Sequence, residues 1–120
     1  MKIEALNSLL SGLKGAEASY PFGPEALVYK VMDKMFALVC EEEPASRLTL
    51  KCLPADGESL VSLYESISPG YYMNKKHWIT LSLDGEVADE MIIALVKGSY
   101  EMVVSKLTKA DKQQLAELPG

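Results

Sequence analysis

The sequence lacks most of the features by which enzymes and membrane proteins are recognised. Its one histidine has no cysteine or carboxylate at ligand spacing, its two cysteines form no CxxC pair, and it has neither a GxGxxG nor a Walker-type glycine loop. No apolar run approaches the roughly 20 residues that a membrane helix needs. We therefore expect a non-enzymatic protein without a cofactor, a metal or a membrane segment.

The scarcity of cysteine also bears on the cellular compartment. Cys40 and Cys52 each lie among apolar residues, which predicts buried, reduced thiols and no disulfide between them. Near the N-terminus, Glu4 and Asn7 interrupt the apolar run that a signal peptide would need, and the leucines repeat at helical spacing. We expect an amphipathic helix that belongs to the fold, and a cytoplasmic protein.

Length and charge further limit which class of protein this can be. The chain has 120 residues, of which 48% are hydrophobic and 24% charged, and this composition is ordinary for one globular domain. We expect a single domain over residues 1–120. The net charge of −5 counts against strong non-specific affinity for DNA, although it permits a local basic surface.

The first half of the chain reads as one helix followed by three strands. Gly and Pro residues make the segment 12–24 irregular, and β-branched and aromatic runs then predict strands at 26–31, 34–40 and 47–52. The first two runs are close enough to form a hairpin. Their Met-Asp connection is unusual, because tight primed turns favour Asn-Gly or Asp-Gly.

The second half reads as helix, two strands, helix. Asp56 is the expected N-cap of the second helix, and Asp89 that of the third, which should run through Leu107. A strand pair is predicted on either side of Asn74, and Thr108 should cap a short terminal helix. Hairpin-joined strands without a βαβ repeat predict an α+β fold, a two-layer antiparallel sheet with helices on one face in the order α-β-β-β-α-β-β-α.

Strand alternation predicts which side chains face the helices. With a turn at residues 32–33, Lys30 should pair with Met35, and Val28 with Ala37. The helix-facing strand positions and the apolar helix positions together form the predicted core, which consists of Leu6, Leu27, Tyr29, Phe36, Leu38, Leu50, Leu63, Leu81, Leu95 and Val103.

The opposite face of the sheet carries the candidate binding residues. They are the only tryptophan, the cations that share its face, and the polar residues at the entry to its strand: Lys30, Lys51, Lys75, Lys76, His77, Trp78 and Asn74. An aromatic ring among lysines suits bases that stack on the ring and phosphates that meet the cations. Two alternatives stay open, a docking surface for a protein partner and a ligand-free cluster in which lysine stems pack over the ring.

Three segments of the sequence resemble the MmcQ/YjbR family: YPFGPEALVYKVMDKMFAL, PGYYMNKKHWITLSLDG and the helix that contains SYEMVVSKL. They cover most of the chain, and the NKKHW run followed by a strand and SYxxV is the most specific part. The residues at 32–33 depart from the family, which commonly has small residues at this turn.

The resemblance implies a two-layer fold of the kind seen in secretion chaperones and a DNA-binding role in a double-wing arrangement. It implies no catalytic residues. We therefore expect a non-enzymatic DNA-binding module, and the alternative is a chaperone-like module that binds a protein partner through the same sheet face. The sequence leaves the oligomeric state open, with a monomer favoured.

Overall fold

The computed structural model of the chain describes residues 1–41, 45–70, 74 and 76–119. Over these residues the elements are, in chain order, α1 (Ile3–Ser11), β1 (Ala16–Ser19), β2 (Ala26–Val31), β3 (Lys34–Cys40), β4 (Arg47–Lys51), α2 (Pro54–Leu63), β5 (Ile67–Pro69), β6 (Trp78–Ser82), α3 (Asp89–Ser105) and α4 (Lys109–Glu117). No helix in this part of the chain is both long and apolar enough to cross a membrane.

The strands form one antiparallel sheet in the order β1-β2-β3-β4-β6-β5, which confirms the predicted α+β fold class. The sheet includes β1, in a segment predicted to be irregular. Because β1 is a mostly exposed edge strand, it has no apolar alternation by which the sequence could reveal it. Of the strand pair predicted on either side of Asn74, the second strand is β6, and the predicted first strand falls on residues 71–73, which lie outside the described residues. The strand that pairs with β6 is β5, which lies before that segment and ends at Pro69.

A β-bulge interrupts the hairpin of β2 and β3. Lys30 pairs with Met35 as predicted, but Tyr29 pairs with Ala37, so that Phe36 is an extra residue in β3. Strict alternation does not hold across a bulge, and Phe36 and its neighbour Ala37 both belong to the main hydrophobic core.

The bulge overturns part of the predicted register. Val28 lies opposite Leu38 and not opposite Ala37. Leu38 is buried as predicted, but it belongs to a second cluster with Val28 and Cys40, on the sheet face away from the helices. The prediction that Leu38 faces the helices was therefore wrong.

The turn of this hairpin has a left-handed backbone at two non-glycine residues. Met32 has φ of 48° and Asp33 has φ of 68°. Positive φ at both central residues is the geometry of a type I′ turn, whose twist matches that of the strands. Methionine adopts this conformation at a cost of about 1–2 kcal/mol. The packing of the half-buried Met32 against the core offsets part of that cost.

The helices cover one face of the sheet around a continuous hydrophobic cluster. Six predicted core residues are buried in it: Leu6, Tyr29, Phe36, Leu50, Leu81 and Val103. Leu27 and Leu95 are half-buried against the same cluster. Leu63 is 74% exposed, and its assignment to the core was wrong. Helix α2 packs Gly57, Leu60 and Val61 inward at helical spacing, so that Leu63 is on its outer side.

Two of the predicted helix caps were also wrong. Helix α2 begins at Pro54, which suits a first helical position because proline has no N–H to satisfy, and Asp56 lies inside the first turn. Asp89 is the first residue of α3 and not its cap. The cap of α4 is confirmed, since the Thr108 hydroxyl accepts a hydrogen bond from the N–H of Asp111 at 3.1 Å.

Candidate nucleic-acid interface

Strands β4 and β6 bring Lys51 and Trp78 side by side on the sheet face away from the helices. The two residues are directly opposite in the ladder, and their neighbours Leu50 and Ile79 point into the core. The Lys51 Nζ lies 5.9 Å from the centroid of the Trp78 ring, within cation–π range. Both residues are half-buried, so part of each remains exposed to solvent.

A buried serine on α3 fixes the end of β4. The Ser99 hydroxyl accepts a hydrogen bond from the N–H of Lys51 at 2.9 Å and donates one to the carbonyl of Phe36 at 2.6 Å. These two backbone groups lie just beyond the last β3–β4 pair, Ala37 with Leu50. Helix α3 thereby determines the backbone position of Lys51.

Gly70, which directly follows β5, lies against Trp78 on the side of β6 opposite Lys51. Its N–H donates a hydrogen bond to the carbonyl of Trp78 at 2.8 Å, and a Cβ atom at Gly70 would lie 2.6 Å from the Cβ of Trp78. Only glycine permits this approach. Gly70 itself therefore places no side chain beside Trp78.

A cavity of about 230 Å³ opens at this end of the sheet, and we call it the basic cavity. Its charged lining is Lys34 at the start of β3, Lys51 at the end of β4 and Lys106 just after α3. Trp78 and apolar side chains, among them Val103, form the rest. Within the described residues none of the three ammonium groups forms an ion pair with a carboxylate.

Lys30 shares the sheet face but not the basic cavity. It lies on β2, two strands from Lys51, which separates their backbones by about 10 Å. Glu17 is directly opposite Lys30 on β1, and its carboxylate offsets part of the lysine charge.

The remaining predicted residues belong to the turn that enters β6. The side-chain oxygen of Asn74 accepts a hydrogen bond from the N–H of Lys76 at 2.9 Å, and the Asn74 carbonyl accepts one from the N–H of His77 at 3.1 Å. All three side chains are exposed. Lys75 lies outside the described residues.

Lys76 lines a second and larger groove of about 680 Å³, which we call the α2 groove. This groove runs between α2 and the strands β5 and β6, and its walls are mainly apolar, with Val61, Pro69 and Ile79 among them. Glu58 also lines it, so the charges there are of both signs.

The side chains in the middle of the sheet face away from the helices are buried. The hydroxyls of Thr49 and Thr80 lie 2.8 Å apart in a hydrogen bond, and each residue is 4% exposed. The buried cluster of Val28, Leu38 and Cys40 continues the same face. A ligand would therefore reach the margin of this face, where the basic cavity lies.

The Cys52 thiol lacks the setting of a catalytic cysteine. Burial raises the pKa of the Cys52 thiol, and the nearby Asp56 carboxylate raises it further. A raised pKa keeps the thiol protonated, whereas a nucleophile needs a thiolate. Cys40 lies in the cluster on the opposite sheet face. Among the described residues, no group of three or more His, Cys, Asp and Glu side chains is placed to hold a metal ion.

Sequence reasoning did not select Lys34 and Lys106 as binding residues. Lys34 follows the hairpin turn and lies opposite Val31, on the helix side of the sheet, so that strand alternation separates it from Lys51. Lys106 follows α3, where a lysine is explained by the partial negative charge of the helix end. They come together at the end of the sheet, where Val103, Lys106 and Leu107 at the end of α3 lie beside the ends of the strands.

Comparison with known proteins identifies similar sequences. A family model described as YjbR matches residues 11–102. The chain is 35% identical over 112 residues to the protein YbdF of Escherichia coli O157:H7, covering 93% of this chain and 92% of that protein. It is 34% identical over 118 residues to YjbR of Escherichia coli K12, covering 98% and 100%.

Solved structures share the fold as well. A crystal structure of a Deinococcus radiodurans protein with a DUF419 domain is similar with a TM-score of 0.89 and 40% identity, covering 98% of this chain and 89% of that one. A Pseudomonas syringae protein gives a TM-score of 0.75 with 25% identity, covering 85% and 98%. The names of these proteins state no ligand and no reaction.

Proposed function

This chain belongs to the YjbR family, and we propose that it is a non-enzymatic module that binds DNA at the Lys51–Trp78 end of its sheet. The observation that carries the proposal is the Lys51 ammonium, 5.9 Å from the centroid of the Trp78 ring and beside a cavity that two further lysines line. This local cluster of cations stands out in a protein of net charge −5.

The chemistry of this cluster suits a nucleic acid. An aromatic ring stacks on a base with about 1–3 kcal/mol per base, and lysines bind phosphates without regard to sequence. Because the protein as a whole is acidic, long-range attraction to DNA is weak, and the affinity must come from local contacts that weaken steeply with salt.

A salt series of binding measurements, with duplex and single-stranded DNA, tests the proposal. Lys51→Gln should weaken DNA binding and make the affinity depend less steeply on salt concentration. Lys2→Gln is the matched control, because it changes the net charge equally; Lys2 is exposed and lies at the other end of the sheet, where the N-terminal nitrogen donates to the Leu83 carbonyl. If the folded wild type binds no DNA even at low salt, the proposal is refuted.

A protein partner is the second candidate, and the α2 groove favours it. The groove is about three times as large as the basic cavity, mainly apolar, and carries one charge of each sign, Glu58 and Lys76. Such a surface suits an apolar segment of another protein. A purified partner that binds Lys51→Gln as well as the wild type, but does not bind Val61→Asp, would support this function over DNA binding.

A further inference from the structure

We propose that the basic cavity binds a nucleoside monophosphate unit, with its phosphate among Lys34, Lys51 and Lys106 and its base against Trp78. The unit can be a free nucleotide or an unpaired nucleotide in a single strand. Where the source is DNA, this inference rests on the proposed function and adds that single strands are preferred to duplexes.

Positive charge converges on the basic cavity. Lys34, Lys51 and Lys106 come from β3, β4 and the end of α3, and they meet around one cavity of about 230 Å³. Each lysine alone has an ordinary explanation, but together they place three positive charges around one opening, without an ion-paired carboxylate in the described part of the chain. A phosphate with two negative charges complements this positively charged lining.

The lining of the basic cavity combines charged and apolar surfaces. Beside the lysines it has the Trp78 ring and the apolar side chains of Val103 and Leu107. Inorganic phosphate alone would leave these apolar walls without a partner. A nucleotide presents an anion at one end and a flat, largely apolar base at the other, and therefore matches both parts of the lining.

The contact between Lys51 and Trp78 is weak enough for a nucleotide to replace it. A cation–π contact at a half-exposed site is weaker than a charge-assisted hydrogen bond to phosphate. Lys51 can therefore leave the ring for a phosphate oxygen, and the freed face of Trp78 can stack on the base. In a duplex the bases are already stacked inside the helix and are not available to the ring.

The end of α3 does not prevent anion binding. The carbonyls at a helix C-terminus carry partial negative charge, which would repel phosphate. Here the N–H groups of Lys106 and Leu107 donate to the carbonyls of Val103 and Val104, each at 3.1 Å. These bonds occupy two of the terminal carbonyls, and the ammonium of Lys106 adds positive charge at the same place.

Trp78 is the only tryptophan of the chain, so its fluorescence reports on the cavity directly. The probes are thymidine monophosphate, thymidine, a short oligothymidylate and a duplex of the same length, at fixed ionic strength. We expect thymidine monophosphate and the oligothymidylate to change the fluorescence, and thymidine not to. The single strand should bind more tightly than the duplex.

Lys34→Gln and Lys106→Gln test the two new residues. Both side chains are exposed, so the variants should fold, which circular dichroism and thermal unfolding check. Each should weaken the binding of both phosphate-bearing probes. For the oligothymidylate, each should flatten the plot of log affinity against log salt by about 0.7 for every phosphate that the variant no longer binds. Lys2→Gln should bind like the wild type.

The outcomes separate this inference from the proposed function. If DNA binds but folded Lys34→Gln and Lys106→Gln match the wild type, the cavity assignment is overturned and DNA binding stands. If thymidine monophosphate binds through these lysines and no oligonucleotide binds, the cavity stands and the DNA function is overturned. If duplex binds more tightly than single strand, the single-strand preference is overturned. If no probe binds, both proposals fail.

Discussion

The hydroxyl of Ser99 accepts a hydrogen bond from the backbone N–H of Lys51 at 2.9 Å, so that α3 holds the strand end from which the candidate ligand contact extends. The following residue, Tyr100, packs edge-on against Phe36, with ring centroids 5.3 Å apart. The SYxxV segment, residues 99–103, thus joins α3 to the bulge of β3. Its last residue, Val103, lines the basic cavity.

Replacing Ser99 should destabilise the protein. Ser99→Ala removes the partner of two backbone groups, the carbonyl of Phe36 and the N–H of Lys51, at a residue that is 1% exposed. We expect the free energy of unfolding to fall by about 1–3 kcal/mol, measured by urea denaturation. Ser105→Ala is the control, since Ser105 is exposed and bonds only within α3. Equal stability of the two variants would contradict this role of Ser99.

Two glycine substitutions should change stability in opposite directions. Gly15 has φ of 76°, and a Cβ atom there would lie 2.6 Å from the Cδ1 of Leu115. Gly15→Ala should therefore cost at least about 1–2 kcal/mol. Gly98 lies inside α3 with nothing within 4 Å of a Cβ, so Gly98→Ala should add about 1 kcal/mol. Urea denaturation of both variants measures the difference, and a stabilised Gly15→Ala would refute the left-handed turn.

The stability of the protein should fall at alkaline pH. Burial raises the pKa values of Tyr29 and Tyr100, and the nearby Tyr20 raises that of Tyr29 further. The unfolded chain therefore releases these protons first, and stability that is complete below about pH 10 is lost as the pH rises further.

Phenylalanine variants test this pH dependence. Tyr29→Phe loses a hydrogen bond to Asn7 and should be less stable near neutral pH, by about 1 kcal/mol. Above pH 10, however, Tyr29→Phe and Tyr100→Phe should lose stability less steeply than the wild type. Urea unfolding at a series of pH values makes the comparison, and parallel curves would show that these tyrosines do not cause the decline.

The two residues of the candidate contact should affect DNA binding in different ways. Lys51→Gln should flatten the slope of log affinity against log salt concentration, by about 0.7–0.9 for each phosphate that the lysine binds in the wild type. Trp78→Ala should lower the affinity by about 1–3 kcal/mol and leave the salt slope nearly unchanged, if a base stacks on the ring. Folding must be checked in Trp78→Ala, because Trp78 packs against Gly70. A salt slope that falls equally in both variants would argue against stacking.

The cysteines should behave as protected thiols. We expect thiol titration of the unfolded, unreduced protein to find two thiols, because Cys40 and Cys52 lie in clusters on opposite sheet faces. In the folded protein, Cys52 should react slowly with thiol reagents near pH 8, since burial raises its pKa. Metal analysis should find less than one zinc per chain. Rapid labelling of native Cys52 would show that the site opens.

Much of the fold could be predicted because it depends on local patterns. Alternation of apolar and polar residues assigned Leu50 and Leu81 to the core and left Lys51 and Trp78 on the other face, as the structure has them. The same reasoning failed for Leu38, because a bulge at Phe36 adds a residue and reverses the alternation beyond it.

The sequence by itself determined the order of most elements, the α+β class and the placement of Lys51 and the only tryptophan on the same sheet face. The tertiary structure alone decided that Lys34 and Lys106 join Lys51 around one cavity. These lysines lie in different elements, on positions that strand and helix periodicity do not relate to one another. They meet because the end of α3 packs over the end of the sheet, and periodicity within one element carries no information about how two elements pack.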